Sequence, residues 1–421
     1  MLLVDYLAFA GRHRRLLAFG FLLTFASSAG QTFFIGIFGP DIREAFGLGH
    51  TGWGTLYLVG TLASALVLPW TGQLIDRLDL RWYVAFALTG LAAACLAISL
   101  AQSIIMLTVA IFLLRQMGQG VTSHAAATSM ARYHGPDRGK ALAIASIGMA
   151  LGEAMLPVLA ILSIAALGWR STYAFASVII LLVLLPMALW LLRGHVGRHR
   201  RHLAAERRAT KADRPAIPDC NRRQMLAEPR FYLLLPAFTA PSIIMTALFF
   251  HHLTLAEGKG WSAAWITGQY WVFALFAVVS SLAAGPMIDR LSAKRVMPLF
   301  LLPLVLALIL LTPAEAPAWL LPYLALLGLT SGIAFTGFTA LWAELYGTAH
   351  LGAIRSLAGA ISVFASALGP VLAGVLLDAG MAMETIGLGF AGYCLIATLS
   401  LLQALRLPNA RLADRVSKHP G

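Results

Sequence analysis

Twelve long apolar runs, separated by short polar breaks, organise this chain. They fall near residues 15–38, 52–73, 82–101, 103–128, 141–166 and 171–192, then near 231–254, 265–287, 296–312, 317–343, 353–377 and 385–405. Each approaches the ~20 residues with which a helix crosses a bilayer. In lipid only helices or closed barrels satisfy their own backbone hydrogen bonds, and runs this long are helices rather than ~10-residue strands of alternating polarity. The pattern predicts an all-α polytopic membrane protein: twelve transmembrane helices in two pseudo-symmetric six-helix bundles.

One polar stretch separates the two sets of six. It opens RGHVGRHRRHLAAERRATKADRPAIPDCNRR, is rich in Arg and His, and carries Pro215 and Pro218, which break any continuous helix. The expected division is an N-terminal bundle over 1–192, a basic cytoplasmic linker over 193–230, and a C-terminal bundle with a short cytoplasmic tail over 231–421. His195, His199 and His202 have a spacing that one helical face could use to hold a metal. A solvated basic linker touching anionic headgroups is the preferred reading, and no metal site is assigned.

The two sets are related by an internal repeat. GQLIDRL at 72–78 returns as GPMIDRL at 285–291. Displacing the sequence by 213 residues superposes Gly72, Ile75, Asp76, Arg77 and Leu78 on Gly285, Ile288, Asp289, Arg290 and Leu291. The same gapless frame pairs Tyr57 with Tyr270, Tyr133 with Tyr346, Gly139 with Gly352 and Pro157 with Pro370. Parallel six-helix repeats about an axis along the membrane normal are a transporter architecture.

Composition agrees with this reading and then adds topology. The chain is 59% hydrophobic and 12% charged, against about 25% charged for soluble domains. The net charge of +13 could suggest nucleic acid, but the positions of the 31 Lys and Arg argue otherwise. Arg43, Arg170 and Lys259 fall on one side of the predicted membrane and Arg115 within it; all the others fall on the opposite side. That bias places both termini in the cytoplasm, as expected of a multi-pass protein of the bacterial inner (plasma) membrane, and no nucleic-acid partner is expected. The start, MLLVDYLAFAGRHRRLLAF, puts its basic cluster after the first apolar residues, the reverse of a cleavable signal, so it is expected to be retained. Cys95 and Cys394 lie in apolar runs and Cys220 in the linker, so no disulfide framework is implied.

With the repeat in place, the chain resembles the major facilitator superfamily from about residue 12 to 406. GQLIDRLDLR, from Gly72 to Arg81, is similar to that family's G-x-L-x-D-R-x-G-R-[KR] loop between the second and third helices. Asp79 replaces the second Gly, and Leu80 the basic residue after it. GPMIDRLSAKR, from Gly285 to Arg295, echoes it. FLLRQMGQG supplies Arg115, Gln119 and Gly120 in the manner of a fourth-helix Arg followed by Gln-Gly, with three intervening residues instead of two. GMALGEAMLP, from Gly148 to Pro157, carries Glu153 where the antiporter signature has Pro, so that signature is not met.

Two charges stand at mid-membrane depth. Arg115 lies 12 residues, roughly 18 Å, into the fourth predicted helix, and Glu153 has a similar depth in the fifth. An isolated charge there costs on the order of 3 kcal/mol or more, so each must face a cavity or the other. The functional reading is a binding and coupling pair: Arg115 meets an anionic or polar substrate, and Glu153 carries a proton or holds Arg115 when the site is empty. The structural reading is a permanent ion pair locking two helices. Fold analogy lines the cavity with the first, fourth, seventh and tenth helices, which adds Gln31. Tyr57, Tyr270 and Gln119 complete the substrate-binding and coupling set, although the tyrosines also suit an interfacial anchor. Trp271 and Trp342 read as packing or belt residues. His251 and His252 titrate near neutral pH but read as an interfacial pair with no transport role.

The resemblance also implies a gate. In the family the loop aspartate caps the cytoplasmic end of a helix in the other half, a favourable contact between a carboxylate and a helix N-terminus. Asp76 would then sit near the start of the eleventh helix, close to Arg355, and Asp289 near the start of the fifth, beside Arg138 and Lys140. Gly72, Arg77, Gly285 and Arg290 belong to the same loops, and Glu344 competes for Arg355. Such contacts exist only when the cytoplasmic side is closed.

The expectation is a monomeric secondary active transporter in contact with membrane lipids, using no cofactor. It would move a small-molecule substrate, an organic anion or polar metabolite, by proton-coupled symport. Proton-driven efflux of amphipathic compounds is the alternative, and a transporter-like receptor without flux a third reading. No nucleophile–base pair, HExxH or phosphate loop suggests an enzyme.

Overall fold

The computed structural model describes residues 2–134, 137–194, 222–347 and 351–407. Among these every regular element is helical. α1 (Leu2–Ser27) continues, after a break, through short turns to Gly39–Phe46. α2 (His50–Arg77), α3 (Leu80–Ser99), α4 (Ile104–His134), α5 (Arg138–Leu167) and α6 (Trp169–Leu191) complete the first bundle. The second contains α7 (Pro229–Phe250), α8 (Ala263–Gly268 and Tyr270–Leu291), α9 (Ala293–Leu310), α10 (Leu320–Tyr346), α11 (Leu351–Asp378) and α12 (Met383–Arg406). Among the described residues eleven helices are long and apolar enough to cross a membrane, and the bent first one makes twelve. The linker segment 195–221, with His195, His199, His202 and Cys220, lies outside the described residues.

Because the number of crossings is even, the first and last described residues emerge on one face, here called the terminal face. Side chains such as Ile105, 77% exposed, and Leu182, 71% exposed, point outward. A water-soluble bundle would bury them; here hydrocarbon is the solvent for that surface. Within each bundle, small residues bring backbones together, as they must where lipid offers no hydrophobic drive between helices. A Cβ on Gly148 of α5 would strike the Phe21 carbonyl of α1, and one on Gly152 the Ser28 side chain. In the second bundle Gly328 and Gly332 of α10 press in the same way on α8, at Phe273, Ala277 and Ser280.

The bundles meet at the face opposite the termini. A Cβ on Gly54 of α2 would come within 2.9 Å of the Pro370 carbonyl of α11, and one on Gly374 within 2.7 Å of the His50 carbonyl. Asp378, at the end of α11, accepts hydrogen bonds from the backbone N–H groups of His50 (2.9 Å) and Thr51 (2.8 Å), the free donors that open α2. Phe250 stacks on Trp53 with centroids 5.2 Å apart, and His251 Nε2 donates to the Pro370 carbonyl at 2.9 Å. Toward the terminal face a cleft of about 360 Å³ opens beside α7, α10 and α11, lined by Phe238, Ser242, Phe338, Trp342 and Arg355 among others. This conformation is shut at the opposite face.

Candidate solute site and gates

The site begins with two breaks in helical geometry. Gln31 is extended (φ −88°, ψ 155°), so α1 bends by 45° there. α4 widens to π geometry over Arg115–Thr122, a departure that in membrane helices often marks a functional position. The breaks touch: a Cβ on Gly118 would lie 2.7 Å from the Gly30 Cα, so only glycines allow this approach. The bend frees the Gly30 carbonyl, which accepts from Arg115 Nη1 at 3.0 Å. The guanidinium carbon sits 5.0 Å over the Tyr57 ring, and the Tyr57 hydroxyl shares a 2.5 Å hydrogen bond with Thr32.

Arg115 is 1% exposed, yet its Nε and Nη2 have no partner in the protein. A desolvated cation with two unused donors is costly, and an acceptor delivered to it is bound strongly for the same reason. Gln31 and Gln119 flank this point, both half-buried. Sequence reasoning overlooked Gln116, although it adjoins Arg115. It is buried, accepts from Ser64 at 3.0 Å and donates to Thr71 at 2.7 Å, and so ties the π segment to α2.

The expected Arg115–Glu153 pair is not made. No ion pair joins them among the described residues, and Arg115 uses the Gly30 carbonyl instead. Glu153 is half-buried on α5, within electrostatic range of Tyr270 on α8, at the seam between the bundles. Tyr57 and Tyr270 are fully buried rather than interfacial. His251 and His252 are also buried, at 2% and 0% exposure, because the end of α7 turns inward against α11 and α8. Of the two tryptophans, Trp271 is half-exposed and Trp342 lies buried beside the cleft.

At the terminal face Asp76 and Glu344 stay within their own bundles. Asp76 is ion-paired with Arg132 of α4, not with the start of α11. Glu344 does not reach Arg355; it accepts from the Ala293 (2.6 Å) and Lys294 (3.3 Å) amides and caps α9. Arg355 is exposed and lines the cleft. Asp79, the departure from the family loop, caps α3 by accepting from the Arg81 N–H at 2.8 Å and receiving its guanidinium at 3.0 Å. The equivalent residue in the second bundle is Ser292, at φ 74°, and the distant Glu344 supplies the missing carboxylate. Gly72 is buried with His124 at contact distance, whereas Gly285 faces open space. Arg77 and Arg290 are exposed. The side chains of Asp289 and Arg138 lie outside the described residues. Lys140, expected beside Asp289, donates at 3.0 Å to Asp137, a bond that holds the Asp137 carboxyl below its usual range.

Two repeated bundles, broken helices at mid-depth and a seam closed at one face are the architecture of a membrane transporter. The chain belongs to the Major Facilitator Superfamily, whose model matches residues 20–282 and 269–420, and so to a family of secondary transporters of solutes. No curated protein matches it by sequence. Among solved structures it is similar to a bacterial homolog of the human lysosomal transporter Spinster, inward-facing and unoccupied. That match has a TM-score of 0.67 at 14% identity and covers 94% of this chain and 97% of that one. It is also similar to the nucleoside transporter NupG, with a TM-score of 0.67 at 13% identity over 94% of this chain and 99% of that one. At such identities the likeness speaks for the fold alone.

Proposed function

We propose that this protein is a secondary active transporter that moves a small organic anion or polar metabolite, coupled to protons, across a bacterial inner membrane. Arg115 is the solute-binding cation, and the carrying observation is its two unpartnered, buried N–H donors. A carboxylate or phosphate entering from the cleft would use both, a geometry that guanidinium serves and ammonium does not. Gln31, Gln119 and Tyr57 lie around it to bond the rest of the solute. Glu153, at the seam and free of Arg115, is the proton carrier. Its protonation removes a charge from the interface that slides when the bundles rock. With the basic terminal face taken as cytoplasmic, the structure corresponds to the inward-open state, in which Asp76 has left α11 for Arg132.

The test is a thermal-shift screen of the purified protein against organic acids, amino acids, sugars and cationic dyes, repeated on Arg115→Gln. Stabilisation by acids that disappears in the variant supports the reading; acid binding unchanged in the variant overturns it. The aromatic cleft of Phe238, Phe338 and Trp342 favours the second reading, export of amphipathic compounds. Stabilisation by dyes alone would select it.

A further inference from the structure

The second bundle contains a titratable site that solute binding does not use. α7 ends at His251 (φ −106°, ψ 19°) and α8 is interrupted at Gln269 (φ −96°, ψ 1°). The residues after these two breaks, His252 and Tyr270, face each other, with His252 Nδ1 2.8 Å from the Tyr270 hydroxyl. The first bundle has a related contact: Thr32 follows the break at Gln31 and bonds Tyr57, the repeat equivalent of Tyr270, on the unbroken α2. The tyrosine is duplicated, but its partner is a hydroxyl in one copy and an imidazole in the other.

His252 is 0% exposed, and its Nε2 has no partner. Phe249, Tyr270 and Tyr323 surround it with ring centroids at 5.3, 5.4 and 5.7 Å. An enclosure of rings at contact distance has room for a proton but not for a solute. We propose that His252 is a proton-binding site of the opposite gate, neutral while that face is shut and protonated when it opens.

The surroundings give the sign. Tyr270 of α8 and Tyr323 of α10 are the titratable groups that face the ring. Glu153 of α5 lies within electrostatic range of Tyr270. On its own segment, His251 is bonded to Pro370 and Glu257 is exposed; Lys259 is paired with Glu384 of α12 at 2.9 Å. The extension of α1 packed nearby carries Asp41, Arg43 and Glu44, with Arg43 bonded to His50 at 3.0 Å. Among the described residues no carboxylate is hydrogen-bonded or ion-paired to His252. Burial without a counter-charge disfavours the imidazolium, so the shut state holds a neutral ring. Opening must move this ring's neighbours, because Phe250 stacks on Trp53, the Phe249 carbonyl is packed against Gly36, and His251 is bonded to α11. Water then reaches Nε2, and a proton bound there opposes closure. Acid therefore favours the open opposite face, through a window starting near the ordinary histidine value of about 6.5.

The experiment places nitroxide labels at Ala45 and Ala379, exposed on the two bundles at that face, with Cys220 replaced by Ser, in nanodiscs without solute. Electron–electron distance distributions are compared at pH 8 and pH 5. The open-to-shut ratio is expected to rise by up to about 30-fold, the change one histidine near 6.5 supplies. His252→Gln keeps a partner for Tyr270 and cannot titrate, so its ratio should change less than twofold. His252→Asn carries the same expectation should the Gln variant not fold. A pH-independent wild type, or a His252 variant with the full response, overturns the proposal. So does loss of the response in Glu153→Gln alone, which would place the proton there. No solute enters the assay, so failure of the Arg115 reading leaves this result untouched.

Discussion

The two bundles share a scaffold and differ in what fills it. In the 213-residue frame Arg115 of α4 corresponds to Gly328 of α10, and Glu153 of α5 to Ser366 of α11. The first bundle thus has two charges at mid-depth where the second has a glycine and a hydroxyl. The structural consequence runs in opposite directions. Around Arg115 the helix widens to π geometry and turns a guanidinium toward a freed carbonyl. Around Gly328 the helix stays regular and presses onto the Phe273 carbonyl, leaving no room for a side chain. One half has kept a charged side chain at its duplicated position, while the other has closed that position for packing. The two tyrosines, each bonded to a residue just past a break in the preceding helix, survive in both, which marks them as part of the shared scaffold.

The sharpest way to break this comparison is to exchange the diverged residues. Gly328→Arg should abolish monodisperse protein on size exclusion, since even a Cβ there overlaps α8, and overpacking costs about 1–3 kcal/mol or more. A well-folded variant would show that the halves are interchangeable at this position. Arg115→Gln, by contrast, should fold and lose solute affinity by about 10- to 100-fold in calorimetry, the range of a charged hydrogen bond. Arg115→Lys should recover only part of it, because ammonium does not fork. Glu153→Gln should retain solute exchange in proteoliposomes while losing solute-driven proton uptake; unchanged proton uptake would remove Glu153 from the coupling step.

Smaller effects distinguish the two faces. Asp378→Asn leaves α2 without its charged cap and should shift the label distance across the opposite face toward open, by about two- to fivefold in population for 0.5–1 kcal/mol. Asp76→Asn should do less in this conformation, because its pair with Arg132 is 65% exposed on the acid side and lies within one bundle. An equal or larger shift from Asp76→Asn would reverse the assignment of the working latch.

Much of the architecture follows from periodicity alone. A backbone in hydrocarbon has few options, so twelve apolar runs become twelve helices, and apart from the break in α1 each predicted span overruns its observed helix by no more than about four residues. The depth of Arg115 was also legible, because 1.5 Å per residue converts sequence position into height. What no local pattern carries is which side chain lies across from which. Arg115 and Glu153 share a depth, and charge alone would join them, but depth says nothing about azimuth. The approach of Gly30 to Gly118 gave Arg115 a backbone oxygen instead, and left Glu153 at the seam. His252 read as interfacial from its residue count, and only the paired breaks in α7 and α8 bury it against Tyr270. The sequence by itself determined the helices, the repeat and the heights of the charges, since these depend on composition along one dimension. The tertiary structure decided the partners and the closed face, because those depend on where glycines allow two helices to touch.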